Sequence, residues 1–264
     1  MAEKHPFNVI SICCCSLELL NEKQVKFGAA SGFLWRHENR IFLITNWHVV
    51  TGLHAFTRQH LDNGRCPAAL RVHYTVELPF RKFASAHIDA PLYKDFHAPY
   101  WIEHSTRTSR SIDVIALPLD IVISPFETIH CINDHSSDDL VEMVGVDVFP
   151  VGFPLGVPSG PKFPIWKRGS IATEPGVNWE GRPAFLIDCR TSSGMSGSPV
   201  IRQVFGPAPM ADGEIKVDRI RSFEFLGVYS GRLSDDDNVA SIGIVWRKTV
   251  ISEMLLNQTR GTRS

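Results

Sequence analysis

The chain's 264 residues include 27 basic and 28 acidic side chains, a formal charge of −1, which gives no general pull towards nucleic acid or an anionic membrane surface. At 44% hydrophobic and 21% charged residues the composition is that of a globular protein and excludes disordered and fibrous classes; no apolar run is long enough to span a bilayer. A chain of this length buries roughly three quarters of its unfolded surface, enough for two packed domains.

Along the chain, short runs rich in β-branched and aromatic residues are bounded by Gly, Pro, Asn and Asp, with little helical periodicity. Strands are expected over 8–16, 24–35, 40–46, 70–77, 114–119, 141–152, 166–173, 184–189, 198–204, 223–230 and 240–246, and a short helix from Val250 to Leu256. Many short strands joined by turn residues predict an all-β sandwich or a pair of barrels. Pro125, Asn133-Asp134 and Ser136-Ser137-Asp138-Asp139 form a polar connection between an N-terminal unit, 1–130, and a C-terminal unit, 140–264.

Two stretches read as insertions. Leu53 to Ile112 holds six of the eleven histidines, His54, His60, His73, His87, His97 and His104, without a His-Glu-x-x-His pattern or a close-spaced ligand pair, so no metal site or cofactor is expected. Arg202 to Arg221 contains Gly206-Pro207-Ala208-Pro209 and Asp212-Gly213 and reads as an exposed hairpin near a cleft rim.

The amino-terminal stretch Phe7 to Leu20 is interrupted by Ser11, Ser16 and Glu18 and lacks the basic head and unbroken apolar core of a signal peptide. Residence in the cytoplasm is the expectation. The cysteines at 13, 14, 15, 66, 131 and 189 show no Cys-x-x-Cys spacing, so neither a disulfide framework nor a zinc site is indicated. Cys13-Cys14-Cys15 read as small strand residues.

Three segments carry chemistry: Thr45-Asn46-Trp47-His48-Val49-Val50, Ser111-Ile112-Asp113-Val114-Ile115-Ala116-Leu117 and Gly194-Met195-Ser196-Gly197-Ser198-Pro199. Each is weak alone, because His48 could be a satisfied histidine at a strand end, Asp113 a turn cap and Ser196 part of a turn. Together they supply a base, an acid to orient it and a hydroxyl nucleophile. Serine is a poor nucleophile near neutral pH, so it needs an imidazole to take its proton and a carboxylate to hold that imidazole in the right tautomer. Asp120 and Asp89 are the rival acids. Gly194 permits the backbone dihedrals that turn its N–H, with that of Ser196, towards a developing oxyanion, and Gly197 permits close approach of a neighbouring strand.

The order His48, Asp113, Ser196 resembles that of trypsin-like serine peptidases of the chymotrypsin fold. The segment Asp188 to Pro199 is similar, without a gap, to the nucleophile segment of bacterial Deg-type (high-temperature-requirement) proteases, while Gly197-Ser198-Pro199 resembles the glutamyl endopeptidases. Val151 to Gly156, Phe225 to Gly231 and Ser241 to Val245 resemble Deg-type strands of the second barrel. This resemblance implies two antiparallel six-stranded β-barrels with the active site in the cleft between them, His48 and Asp113 from the first and Ser196 from the second. It implies a serine endopeptidase, the amides of Gly194 and Ser196 as oxyanion hole, and protein or peptide substrates laid along an edge strand at Tyr229, Ser230 and Gly231.

Against the family, Met195 stands where digestive enzymes keep an aspartate for a freed amino terminus, and there is no Ile-Val-Gly-Gly-type start, so activation by amino-terminal cleavage is not expected. Few residues follow the last strand, so no PDZ domain is expected either. Val49 replaces a cysteine that secreted relatives bridge. Arg190 falls at the floor of the specificity pocket and Thr191 beside it, which suggests an acidic residue before the scissile bond. Asp188, on the same strand face, would instead neutralise Arg190, leaving small or apolar residues as the alternative. Regulation by a protein partner is a further expectation, and a catalytically silent, partner-binding module of the same fold is the competing class.

Overall fold

The computed structural model describes residues 8–94, 98–135, 139–157, 163–217, 221–233 and 241–261, with Asn63 by its backbone only. Two antiparallel sheets dominate. In the first, neighbouring strands follow the order Thr259–Arg260, Ile102–Glu103, Ile115–Leu119, Arg40–Thr45, Lys26–His37, Cys14–Leu20, Ala69–Leu78 and Lys82–Pro91. In the second, Asp147–Gly152, Gly169–Ile171, Ala184–Asp188, Ile242–Arg247, Arg221–Arg232 and Pro199–Phe205 follow one another, and Phe149 pairing with Ile201 closes them into a six-stranded barrel. Among the described residues no pairing joins Lys82–Pro91 back to the far side of the first sheet, so closure is seen in the second barrel only.

Three apolar clusters explain why the two units sit together. One fills the first sheet with residues such as Leu17, Leu34, Leu43, Val72 and Leu117. Another fills the closed barrel with Val148, Phe185, Ile187, Val200 and Val245. The third lies between them: Phe33, Phe42, Ile44 and Val114 from the first unit meet Phe153, Ile201, Phe225, Ile244 and Trp246 from the second. Burying a side chain of that size contributes about 1.5–3 kcal/mol, so the interface is as firmly held as either interior.

The all-β, chymotrypsin-like architecture agrees with expectation, and several boundaries do not. The strand expected over 8–16 is divided: Val9–Cys13 is a helical turn, because the Asn8 side chain caps it by accepting from the Ile10 N–H at 3.1 Å, and the strand starts only at Cys14. Cys13, Cys14 and Cys15 are all buried, and burial pushes their thiols well above the usual range. The strand expected from 141 starts at Asp147, after a turn in which Gly145 takes φ +86°. That expected over 166–173 splits into Ile165–Trp166 and Gly169–Ile171. The stretch from 53 to 112 contains a strand not foreseen, Lys82–Pro91, paired along its length with Ala69–Leu78 as a long hairpin.

The connection between the units is tied down rather than free. Ile129, Cys131 and Ile132 are buried, and Arg36 grips Asp134 with two 2.9 Å hydrogen bonds; residues 136–138 of the expected linker lie outside the described residues. The chain's end also departs from the expected 140–264 unit: after the helix Thr249–Asn257, Thr259–Arg260 returns to pair with Ile102–Glu103 in the first sheet. In the second insertion, Ala208–Pro209 pairs with Ile215–Lys216, and Ala208 and Met210 are buried against Leu140 instead of standing exposed; residues 218–220 are not described. No described helix is long and apolar enough to cross a membrane.

Candidate active site

His48 sits on the helical turn Trp47–Thr51, which follows the strand Arg40–Thr45 and ends at Gly52 in the left-handed conformation. Asp113 precedes the neighbouring strand Ile115–Leu119, flanked by the fully buried Ile112 and Val114. Because the two strands pair, Thr45 with Ile115, the two side chains meet at the same end of the sheet. His48 Nδ1 lies 2.6 Å from Asp113 Oδ2, and the His48 N–H donates to Asp113 Oδ1 at 2.8 Å. The carboxylate, 1% exposed, also accepts from the Ser230 hydroxyl. It therefore holds the imidazole proton on Nδ1 and leaves Nε2 as the basic nitrogen. Neither rival acid is placed for this role: Asp89 is gripped by Arg71 on the outer hairpin, and Asp120 borders a recess elsewhere on the first sheet.

Ser196 lies in the turn that leads into the strand Pro199–Phe205, and it shares one recess with His48, Asp113, Ser230 and Gly231. Its hydroxyl donates to the Ser230 carbonyl at 3.2 Å and not to His48. In the absence of substrate such contacts between a serine and its base are commonly misaligned.

The Ser196 turn is locked from several sides. Ser31, in the middle of the strand Lys26–His37, receives no functional role from sequence reasoning, yet its N–H donates to the Ser196 carbonyl at 2.9 Å and its hydroxyl to the Gly194 carbonyl at 2.7 Å. The run Ala29-Ala30-Ser31-Gly32, small residues inside an otherwise apolar strand, is the signal that marks a close backbone approach there. Gly197 makes that approach possible: at φ +86°, an added Cβ would lie 2.2 Å from the Ser31 carbonyl oxygen. On the other side the Leu155 N–H donates to the Ser193 carbonyl at 2.6 Å. A trans peptide points its C=O and N–H in opposite directions, so the Gly194 N–H faces away from the Pro154–Gly156 turn. Leu155 holds this contact from the left-handed region, φ +56°, a conformation that costs a residue with a Cβ about 1–2 kcal/mol.

A second unforeseen group lies behind His48. Trp47 is stacked between Arg107, 3.6 Å from the ring centroid, and Arg58, at 4.8 Å. Its indole N–H and that of Trp101 both donate to Glu103 Oε1, at 3.1 and 2.9 Å, while Arg107 Nε pairs with Glu103 Oε2 at 3.2 Å. Burial holds the Arg107 guanidinium down to about 10, against the opposing pull of Glu103. These contacts fix the turn that carries His48. In front of the site, Phe56 meets Trp179 edge to face at 6.3 Å, and Arg182 lies 4.8 Å over the Phe56 ring. A loop of the first unit thus touches a loop of the second across the cleft.

The expected substrate-contacting residues are placed unevenly. Ser230 and Gly231 lie on a stretch of the strand Arg221–Arg232 that pairs on one side only, beyond the last partner pair with Pro199–Phe205, Pro199 with Val228. Tyr229 is not part of that free edge: its N–H donates to the Ser198 carbonyl, its carbonyl accepts from the Gly197 N–H, and its side chain is 1% exposed. Its hydroxyl hydrogen-bonds Thr191 Oγ1, and burial pushes the phenol up to about 12. Arg190 is exposed instead of forming a pocket floor, and it makes no ion pair with Asp188, which is exposed as well. All six cysteines are unpaired, and no cluster of metal-ligating side chains occurs among the described residues.

Two antiparallel units, a His–Asp pair at the rim of one and a serine turn at the rim of the other, define the chymotrypsin class of protease folds. The sequence profile of the trypsin-like peptidase domain matches residues 30–204, more than half of the chain, and the chain belongs to that family. Its fold is similar to that of a serine endoprotease from Yersinia pestis, with a TM-score of 0.51 at 13% identity over 97% of this chain and 68% of that one. It is also similar to an HtrA-type protease solved with a tripeptide, with a TM-score of 0.52 at 14% identity over 94% of this chain and 60% of the other. The protease Anisep from Arthrobacter nicotinovorans gives 0.51 at 12% identity, covering 94% and 95%. At such identities the likeness is one of fold. A sequence search among characterised proteins finds no significant match.

Proposed function

We propose that the chain is a serine endopeptidase acting through an acyl-enzyme, with Ser196 as nucleophile, His48 as general base and acid, and Asp113 as the group that orients His48. The observation that carries this reading is the meeting of all three in one recess, with His48 Nδ1 2.6 Å from a buried carboxylate. Ser196 Oγ bonds to the substrate carbonyl carbon while His48 Nε2 takes its proton. The same proton passes to the amine as the C–N bond breaks, leaving an ester that water cleaves by the reverse path. The amides of Gly194 and Ser196 receive the oxyanion. Supporting this, the carbonyls of Ser193 and Gly194 are both engaged elsewhere, by Leu155 N–H and Ser31 Oγ, so neither competes for that space. Each such donor lowers the barrier by ~3–4 kcal/mol.

A peptide substrate pairs with the free edge at Ser230 and Gly231, which supplies backbone hydrogen bonds without demanding a sequence. The six unpaired thiols fit a reducing compartment such as the cytoplasm, and a protease placed there calls for control by a protein partner. The competing reading is a silent binding module, favoured by the Ser196 hydroxyl facing Ser230 and not His48. Digestion of an unstructured protein decides between them. The account expects cleavage by the wild type and a loss of ~10⁴ or more in turnover for a folded Ser196→Ala variant; equal cleavage by both, or by neither, is the opposing result.

A further inference from the structure

A peptide laid on the free edge at Ser230 and Gly231 sends successive side chains to opposite faces. For the side chain just before the attacked carbonyl, one space beside Ser196 is the gap between that edge and the Arg190–Met195 segment, the two stretches that flank Ser196. In this chain the gap is filled. Ser230, the extra residue where the strand register shifts, turns its side chain to Asp113, whereas Tyr229 turns its own into the apolar cluster of the closed barrel. The Tyr229 ring reaches Thr191 Oγ1 at one end and packs over Gly243 of the last barrel strand, where an added Cβ would come 2.5 Å from Cε2. Cys189 and Met195 belong to the same buried cluster. Backbone bonds from Tyr229 to Gly197 and Ser198 tie the ring's position to the nucleophile turn itself.

We propose that Tyr229 is the specificity-determining residue of this site and restricts cleavage to bonds that follow a small residue: glycine, alanine or serine. The inference rests on the protease assignment of Ser196. A leucine, phenylalanine, glutamate or lysine would have to displace a fully buried ring. A glutamate would not meet Arg190 inside, because Arg190 is exposed, and the cluster around Tyr229 is apolar. The Thr191 hydroxyl, the polar group at hand, is already engaged by Tyr229.

The test is a panel of fluorogenic peptides that differ only in the residue before the cleaved bond, run on wild type, Tyr229→Val and Tyr229→Phe. A separate sample of each protein is treated with a small alkyl fluorophosphonate, which reacts with an activated serine without needing a side-chain pocket, while the unlabelled protein is used for the peptide panel. The inference expects wild type to cleave after Ala, Gly or Ser with kcat/KM on the order of 10²-fold above Leu, Phe, Glu or Lys. Tyr229→Val, with space opened, gains ~10-fold or more on Leu and Met, and Tyr229→Phe, with the ring kept, retains the small-residue preference. A wild type whose separate sample takes the label and whose unlabelled sample prefers a large or charged residue overturns the pocket and leaves the protease assignment standing. So does a Tyr229→Val variant that is competent for labelling and keeps the wild-type profile. A folded protein that takes no label at Ser196 removes the assignment, and the inference falls with it.

Discussion

The Ser31 hydroxyl and the Gly194 carbonyl are joined by a 2.7 Å hydrogen bond across the boundary between the two units, and the same oxygen accepts from the Phe153 N–H at 2.9 Å. One side chain of the first sheet thus holds both the peptide that borders the oxyanion site and the start of the turn that supports it. Ser31→Ala leaves two buried backbone groups without this partner, at a cost of about 1–3 kcal/mol each. Kinetics on the variant should show kcat lower by ~10–10² with KM little changed, and thermal unfolding a modest loss of stability.

Gly194→Ala tests the same peptide from the inside. Gly194 has φ +92°, and a Cβ there would lie 2.6 Å from the Phe153 carbonyl oxygen and 2.8 Å from the Leu155 nitrogen. The turn cannot accept it without moving, so the Gly194 N–H leaves its position and ~10²–10³ in kcat is lost. Circular dichroism of the variant should remain that of the wild type.

Asp113→Asn keeps the shape of the site and removes the charge that holds the imidazole proton on Nδ1. The expected loss is ~10⁴ in kcat near neutral pH. Asp89→Asn and Asp120→Asn, measured in parallel, should retain wild-type turnover, because Asp89 is spent on Arg71 and Asp120 lies in a different recess.

Stability in acid should report on Arg36 and Asp134. Burial pushes the Asp134 carboxyl up, but the Arg36 hydrogen bonds, the Cys131 amide and the Arg36 charge together bring it below the usual carboxylate range. The folded chain gives up this proton more readily than the unfolded one. The pair's contribution is therefore complete above the ordinary carboxyl pKa of ~3.9 and is lost as pH falls from there through the folded value. Urea unfolding of Asp134→Asn should show a deficit of about 1 kcal/mol near pH 7 that closes towards about pH 2.

The candidate segments stand out in the sequence because nucleophilic chemistry would constrain adjacent residues, Gly194, Ser196 and Gly197 falling within four positions, and the fold brings His48, Asp113 and Ser196 into one recess. What supports them does not stand out. Ser31 meets Gly194 across 163 residues of chain, and nothing local to Ala29-Ala30-Ser31-Gly32 names its partner. Leu155 in a left-handed conformation contradicts local preference and is maintained only by its tertiary setting. Arg190 and Thr191 are both expected in the specificity pocket, but adjacent residues of an extended segment face opposite ways, and the structure buries Thr191 and exposes Arg190. The strand Lys82–Pro91 escaped although Ala84, Ala86, Ile88 and Ala90 alternate with Ser85, His87 and Asp89, because alanine is a weak apolar and β-forming signal and the strand is half-exposed at the edge of its sheet. Val9–Cys13 looked like a strand from its β-branched content, and the Asn8 cap outweighed that preference.

The central claim is that Ser196 is an activated nucleophile, and covalent labelling by a fluorophosphonate with peptide mapping tests it most directly. The account predicts a single adduct on wild type, located at Ser196, sharply slowed in Asp113→Asn and absent from a folded Ser196→Ala variant. A folded wild type that takes no label, or a Ser196→Ala variant labelled as well as wild type, would contradict it.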